Sequence, residues 1–307
     1  MNDYEVVKSE KFENDTRAIF DDHHREQATN EKIFSRLTNL ISTDYFEVPK
    51  NYFHNKIVLD AGCGSNANAS YAFLALGAKH VYSVDMGIEW QDCAEKKLSA
   101  YKDRTTLISG TVLDLPFEDE KFDFVHCAGV LHHTKNPHSG FNELARVTKS
   151  GGKTYISIMA NGNGVIYQVI NFLRNKYKTD NQFKDVIDNL SEQRISKNLN
   201  WIFDEIGQYE HFDPAEKIFL KKMFDQDFVL TIKDRLQAPT YHDFNFSEEE
   251  MVNWYTVKNY TDHKRITRYL TGFQNLRKYL SPFYHHYDNS LSKFLFGNGY
   301  IQMIGTK

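Results

Sequence analysis

The chain has 307 residues, a formal net charge of −4, and 41% apolar and 25% charged residues. This is the balance of a soluble globular protein, long enough for one large domain or for a core with a substantial appendage. The charge offers no bulk attraction to nucleic acid or to an anionic membrane, since lysines and arginines are scattered among acids. No apolar run approaches the roughly 20 residues of a membrane span, and the polar, acidic amino-terminal stretch reads as neither a signal nor a transit peptide. Cys63, Cys93 and Cys127 are odd in number and widely spaced, so they fit neither a disulfide framework nor a zinc site. A reducing cytoplasm is the expected location. Aromatic residues make up 14% of the chain, which reflects either compositional bias or an aromatic pocket.

Residues from about 12 to 42 read as helical, with Ile33, Phe34, Leu37 and Leu40 at helical spacing. Five short runs rich in Val, Ile, Phe and Tyr follow: KIVLD, HVYSVD, TTLISG, FDFVHCAG and KTYISIM. Helical segments separate them. The last of these is framed by Asn136 as a cap, Pro137 at the first helical position and Gly151-Gly152 as the end. Strands alternating with short helices predict βαβ units, a parallel sheet and helices on both faces.

The alternation stops after Met159. Asn161 to Pro239 is too long for an ordinary connection and too rich in large apolar groups to stay disordered. Val165, Val169 and Leu173 share one helical face there, and Leu220, Met223 and Phe224 mark another helical piece. Ser247 and Glu250 then predict a capped helix, and TDHKRIT and YIQMIGTK two more strands. The expected division is a helical segment at 1–50 closing the site, a ligand-binding core at 51–160, a helical insertion or lid at 161–239, and the rest of the sheet domain at 240–307.

The turn Gly62-Cys63-Gly64 joins the first strand to the first helix, where a ligand can approach the backbone closely. Gly62-x-Gly64-x-x-Ala67 also satisfies the dinucleotide form of this motif. Asp60 argues against that ligand, because a carboxylate facing a pyrophosphate is repulsive whereas it suits an ammonium group. Asp85 ends the second strand, where it can accept ribose hydroxyls, and Asp114 follows the third, where it can accept from an exocyclic amine. Such acids suit a cationic, hydroxyl-rich ligand, S-adenosylmethionine; Asp85 and Asp114 could instead be strand-end turn caps. Asn66 stands where a third glycine is common and is expected to serve the turn, taking a left-handed backbone or capping the helix.

In order and spacing, VLDAGCGS, VYSVDMG, GTVLDLPFEDEKFDFVHCAGVLHHTKNP and NELARVTKSGG resemble the class I S-adenosylmethionine-dependent methyltransferases, most closely the type 11 methyltransferase-domain branch. The resemblance implies a Rossmann-like α/β fold: a doubly wound, mostly parallel seven-stranded sheet with an antiparallel last strand, here with a helical amino-terminal segment and an inserted helical cap. It implies further that Asp60, Gly62 and Gly64 line the methionine part of the cofactor, that Asp85 holds the ribose, and that Met86 packs on the adenine. Asp114 and the Leu115 amide would meet the adenine edge, while Ala128 and Gly129 would run under the methionine.

The expected reaction is in-line methyl transfer to an oxygen or nitrogen of a small-molecule acceptor, with no metal. His132 and His133, beside the cofactor at the end of the fourth strand, are candidate bases; the alternative is that they pack and orient the loop. Tyr241 and His242 are candidates for the acceptor pocket, His242 also as a second base. His23-His24 and His285-His286 suggest a metal only weakly, since adjacent helical residues face apart, and Arg25 is a candidate partner for the cofactor's carboxylate. Cys63 and Cys127 read as buried fillers. Competing readings are a methyltransferase acting on RNA or protein, a nicotinamide oxidoreductase, and a non-catalytic cofactor-binding subunit. The sequence leaves oligomeric state open.

Overall fold

Period-two burial decides how the strands are covered. Val58 and Leu59 are neighbours in sequence and both fully buried, yet they belong to different cores, one on each side of the sheet. The structure, a computed structural model, describes residues 11–21, 30–87, 90–160, 164–208, 212–238, 246–266, 290–297 and 299–307. The strands are β1 (Ile57–Ala61), β2 (His80–Asp85), β3 (Thr105–Ser109), β4 (Phe122–Ala128), β5 (Thr148–Met159), β6 (Thr261–Arg265) and β7 (Tyr300–Thr306). They form one seven-stranded sheet in the order β3-β2-β1-β4-β5-β7-β6. β1 to β5 pair in parallel, and β7 runs antiparallel to both β5 and β6. This is the expected doubly wound sheet with an antiparallel last strand. Its order reverses between β1 and β4, and there the carboxyl ends of the strands open a crevice.

Helices cover both faces. Leu59, Ala61, Val125 and Ile156 pack against Phe141 and Leu144 of α5 (Pro137–Val147) and Trp254 of α11 (Glu248–Val257). On the other side Val58, Val81 and Phe124 meet Phe73 and Leu74 of α3 (Asn68–Ala75) and Ala94 of α4 (Trp90–Leu98). Phe46 and Phe53 complete that core, their rings 5.1 Å from Phe124. Much of the aromatic content is therefore structural: among the described residues lining the pocket, Phe20 is the one aromatic.

The amino-terminal region contains α1 (residues 11–21) and α2 (Glu31–Asn39). Asn30 starts α2 afresh, accepting the Lys32 and Ile33 amides with its side chain. Asn136 caps α5 through the Ser139 amide, 3.0 Å away, with Pro137 in the first turn, as the sequence predicts. The helix ends at Val147, before the two glycines, because Thr148 is already extended and starts β5. Gly151, with φ 75°, lies instead within the irregular start of that strand. Ser247 caps α11 by accepting the Glu250 amide at 3.0 Å.

Compact units divide the chain into Met1–Gly162 with Pro239–Tyr269 and Asn298–Lys307, and Asn163–Ala238 with Leu270–Gly297. The second combines Asn163–Ala238 with a segment, Leu270–Gly297, from the 240–307 stretch. Its helices are α6 (Val165–Thr179), α7 (Asn181–Asp188), α8 (Glu192–Ile206), α9 (Pro214–Met223), α10 (Gln226–Gln237) and α12 (Ser290–Phe296), with α6 packing on α7, α10 and α12. Arg174 of α6 is buried and donates to the carbonyls of Arg235 (2.7 Å) and Ala238 (2.9 Å) at the end of α10. Burial lowers its guanidinium to about 10, still charged at neutral pH. No helix among the described residues is long and apolar enough to cross a membrane.

Candidate active site

β1 ends at Ala61, and the chain turns through Gly62 (φ 79°) and Gly64 (φ 63°), left-handed conformations that glycine adopts freely. The Gly62 and Cys63 amides donate to the Val84 carbonyl at 2.7 and 3.1 Å, which ties the turn to β2. A β-carbon on Gly62 would lie 2.2 Å from Cγ2 of Val130, so glycine is required there by contact as well as by dihedral. Asn66 takes a different role from the one expected. Ala67 is the residue with the left-handed backbone (φ 43°) at the start of α3, and it provides no side-chain cap. Asn66 is buried, with neither amide atom hydrogen-bonded.

The pocket opens at the switch point. It is lined by Gly62 after β1, by Asp85, Met86 and Gly87 at β2, by Gly110, Thr111 and Val112 after β3, and by Ala128, Gly129 and Val130 at β4. His133 and Thr134 continue that wall, and Thr16, Arg17, Phe20 and Asp21 of α1 provide another. α1 is seated by the Phe20 ring, 4.6 Å from that of His133, and by an ion pair of Glu13 with Lys135 at 2.8 Å. Asp85 accepts the Gly64 and Gly87 amides, both at 2.9 Å, one on each carboxylate oxygen. Each oxygen keeps capacity for another donor. Gly129 (φ 77°) has nothing within 4 Å of where a β-carbon would stand, leaving open space under the pocket floor. Glycine turns, a half-satisfied carboxylate and open floor space fit a ribose-bearing ligand with an amino-acid tail.

Of the site residues read from the sequence, Gly62, Asp85, Met86, Ala128, Gly129 and His133 line one pocket. Gly64 serves it from behind, through its bond to Asp85. Three further residues of that set lie outside the lining. Asp60 is 2% exposed; it accepts Ser70 Oγ at 2.6 Å and pairs with His126 Nδ1 at 2.9 Å, on the face of the sheet that α3 covers. It ties β1 to α3 and β4 and is absent from the lining. Asp114 is exposed, because the chain after β3 curls back and bridges Thr111 to Asp114. Leu115 is buried, and its amide donates to Glu143 Oε2 at 2.9 Å. Gly110, Thr111 and Val112, which follow β3, line the pocket on this side.

The two histidines divide. His132 is 3% exposed, and its Nδ1 accepts the Met159 amide at 3.2 Å, which fastens the loop to β5. His133 faces the pocket. Burial pushes the thiols of Cys63 and Cys127 well above their ordinary range, aided by the charges of Asp85 and Asp60 at Cys63 and of Asp60 at Cys127. Both act as fillers. His23, His24, Arg25, Tyr241, His242, His285 and His286 lie outside the described residues. Sequence reasoning missed Thr16, Arg17, Phe20 and Asp21; their only signal is the shared helical face of positions spaced by four.

Residues 59–156 match the methyltransferase-domain family. An uncharacterized protein of Methanocaldococcus jannaschii is 30% identical over 164 residues, covering 52% of this chain and 74% of that protein. A demethylmenaquinone methyltransferase of Clavibacter sepedonicus is 31% identical over 99 residues, 32% of this chain and 39% of that enzyme. A ubiquinone biosynthesis O-methyltransferase of Glaesserella parasuis serovar 5 is 27% identical over 245 residues, 76% of this chain and 100% of that enzyme. The chain spans only 25% to 54% of the length of several curated relatives that it matches. Sheet order, glycine turn and domain match agree: residues 59–156 form a methyltransferase domain, set in the Rossmann-like sheet expected of the class I S-adenosylmethionine-dependent methyltransferases.

Proposed function

We propose that this chain catalyses transfer of a methyl group from S-adenosylmethionine to an oxygen or nitrogen of a small-molecule acceptor. The observation that carries the reading is a single pocket with Asp85 on one wall and His133 on another. When bound, the cofactor supplies a sulfonium-activated methyl group with a neutral thioether as leaving group. Asp85 would hold the ribose hydroxyls, with Met86 against the adenine and Thr111 and Val112 at its edge. Ala128 and Gly129 would floor the amino-acid tail. The remaining work is alignment, exclusion of water and removal of one proton. Phe20 and Val130 supply apolar wall, and His133 would take the acceptor's proton as the new bond forms.

Two matched relatives are named for demethylmenaquinone methylation and for O-methylation in ubiquinone biosynthesis, and both names describe small-molecule chemistry. The net charge of −4 also disfavours a nucleic-acid acceptor. The test has two arms. Calorimetry should show binding of S-adenosylmethionine and S-adenosylhomocysteine and none of NAD; no binding of the first two overturns the assignment. Incubating cell extract with methyl-labelled cofactor should place label in the low-mass fraction. Label found only in protein or RNA would overturn the choice of acceptor.

A further inference from the structure

Among the described residues lining the pocket, one carries a permanent positive charge, Arg17. Its Nε is buried without a hydrogen-bond partner. An orphaned guanidinium nitrogen costs stability unless an acceptor meets it, and a guanidinium suits a carboxylate through two parallel bonds. The course of α1 says where that acceptor should sit. Glu13 is anchored at Lys135, Phe20 rests on His133, and Asp21 reaches Gly87, its Oδ1 lying 2.6 Å from where a Gly87 β-carbon would be. The helix therefore runs from the loop after β4 toward the ribose side at Asp85. Arg17 stands one turn, about 6 Å, before Asp21, toward the end of the pocket formed by Ala128 to Thr134.

We propose that Arg17 binds the carboxylate of the cofactor's amino-acid tail, so that α1 completes the cofactor site; this rests on the methyltransferase reading above. Binding would satisfy Nε and fasten α1 across the pocket. Calorimetry on the full chain tests it with two probes, S-adenosylhomocysteine and 5′-methylthioadenosine, which keeps the nucleoside but lacks the amino-acid tail. In Arg17→Gln, S-adenosylhomocysteine should bind roughly 10- to 100-fold more weakly, while 5′-methylthioadenosine stays within about twofold of wild type. Arg17→Lys, which keeps charge without the planar fork, should fall between. Equal losses for both probes would make Arg17 a structural residue and overturn the proposal. An unchanged affinity for S-adenosylhomocysteine would do the same. Wild-type protein that binds neither probe would instead refute the underlying reading.

Discussion

Replacing Asp85 with asparagine isolates the contribution of one carboxylate. The wild-type group accepts two backbone amides at 2.9 Å, one on each oxygen. The amide side chain keeps one acceptor and turns an NH2 group toward the other N–H, so one charge-assisted bond within the turn is lost. In the proposed complex one ribose hydroxyl also loses its acceptor, and the other faces a neutral oxygen. Bonds to a charged group contribute about 1.5–3 kcal/mol each. Asp85 is half-buried, so solvent trims the total, and a loss near 2–3 kcal/mol is expected for cofactor binding. That corresponds to roughly 30- to 150-fold in Kd. Titration calorimetry with S-adenosylhomocysteine measures it, with thermal unfolding of the ligand-free variant reporting the damage to the turn. A variant with a lowered Tm but affinity within about threefold of wild type would show that Asp85 serves only the turn.

His133→Gln should retain S-adenosylhomocysteine affinity and lose roughly 10²- to 10⁴-fold in kcat; a variant of normal turnover would remove His133 as the base. Glu143 is clamped by Arg146 at 2.8 and 2.9 Å and holds the Leu115 amide, so its carboxyl lies below the ordinary value of 4.5, chiefly through the Arg146 hydrogen bonds. A carboxyl depressed on folding stabilises above its unfolded value, and that stability is lost as pH falls through the lowered one. Glu143→Gln should therefore lower Tm at neutral pH and flatten the decline of Tm below about pH 4.5; parallel Tm curves for the two proteins would contradict this. Arg174→Met leaves the carbonyls of Arg235 and Ala238 without their buried donor and should destabilise the helical unit by about 2–3 kcal/mol in urea unfolding. A change under about 0.5 kcal/mol would mean water replaces it freely.

The sheet was legible because β1 to β5 contain short apolar runs separated by helices, and Asn136 and Pro137 placed the start of α5 to the residue. The pocket lining was legible where it falls at a strand end. Asp85 is the last residue of β2, so its side chain emerges beside the turn. Asp60 and Asp114 show the limits of that rule. Asp60 lies one residue before the end of β1, and in a strand that single step moves a side chain to the other face. Asp114 lies five residues beyond β3, where the curl back to Thr111 directs it outward. Sequence spacing carries no sign of such a curl. Arg17 and Phe20 were hidden for another reason: a helical face is visible in sequence, but what that face covers is decided by tertiary contacts such as Glu13 with Lys135.

The interlock of Gly62 and Val130 bears on how acceptor preference could change in the proposed methyltransferase. The residues nearest the proposed acceptor follow directly from Val130, and Val130 lies against the turn that receives the cofactor. Substitutions that reshape one end of the pocket therefore push on the other. New acceptor specificities should be reached more readily from α1 side chains other than Arg17 and Asp21, which do not press on the Gly62 turn, than from the loop after β4.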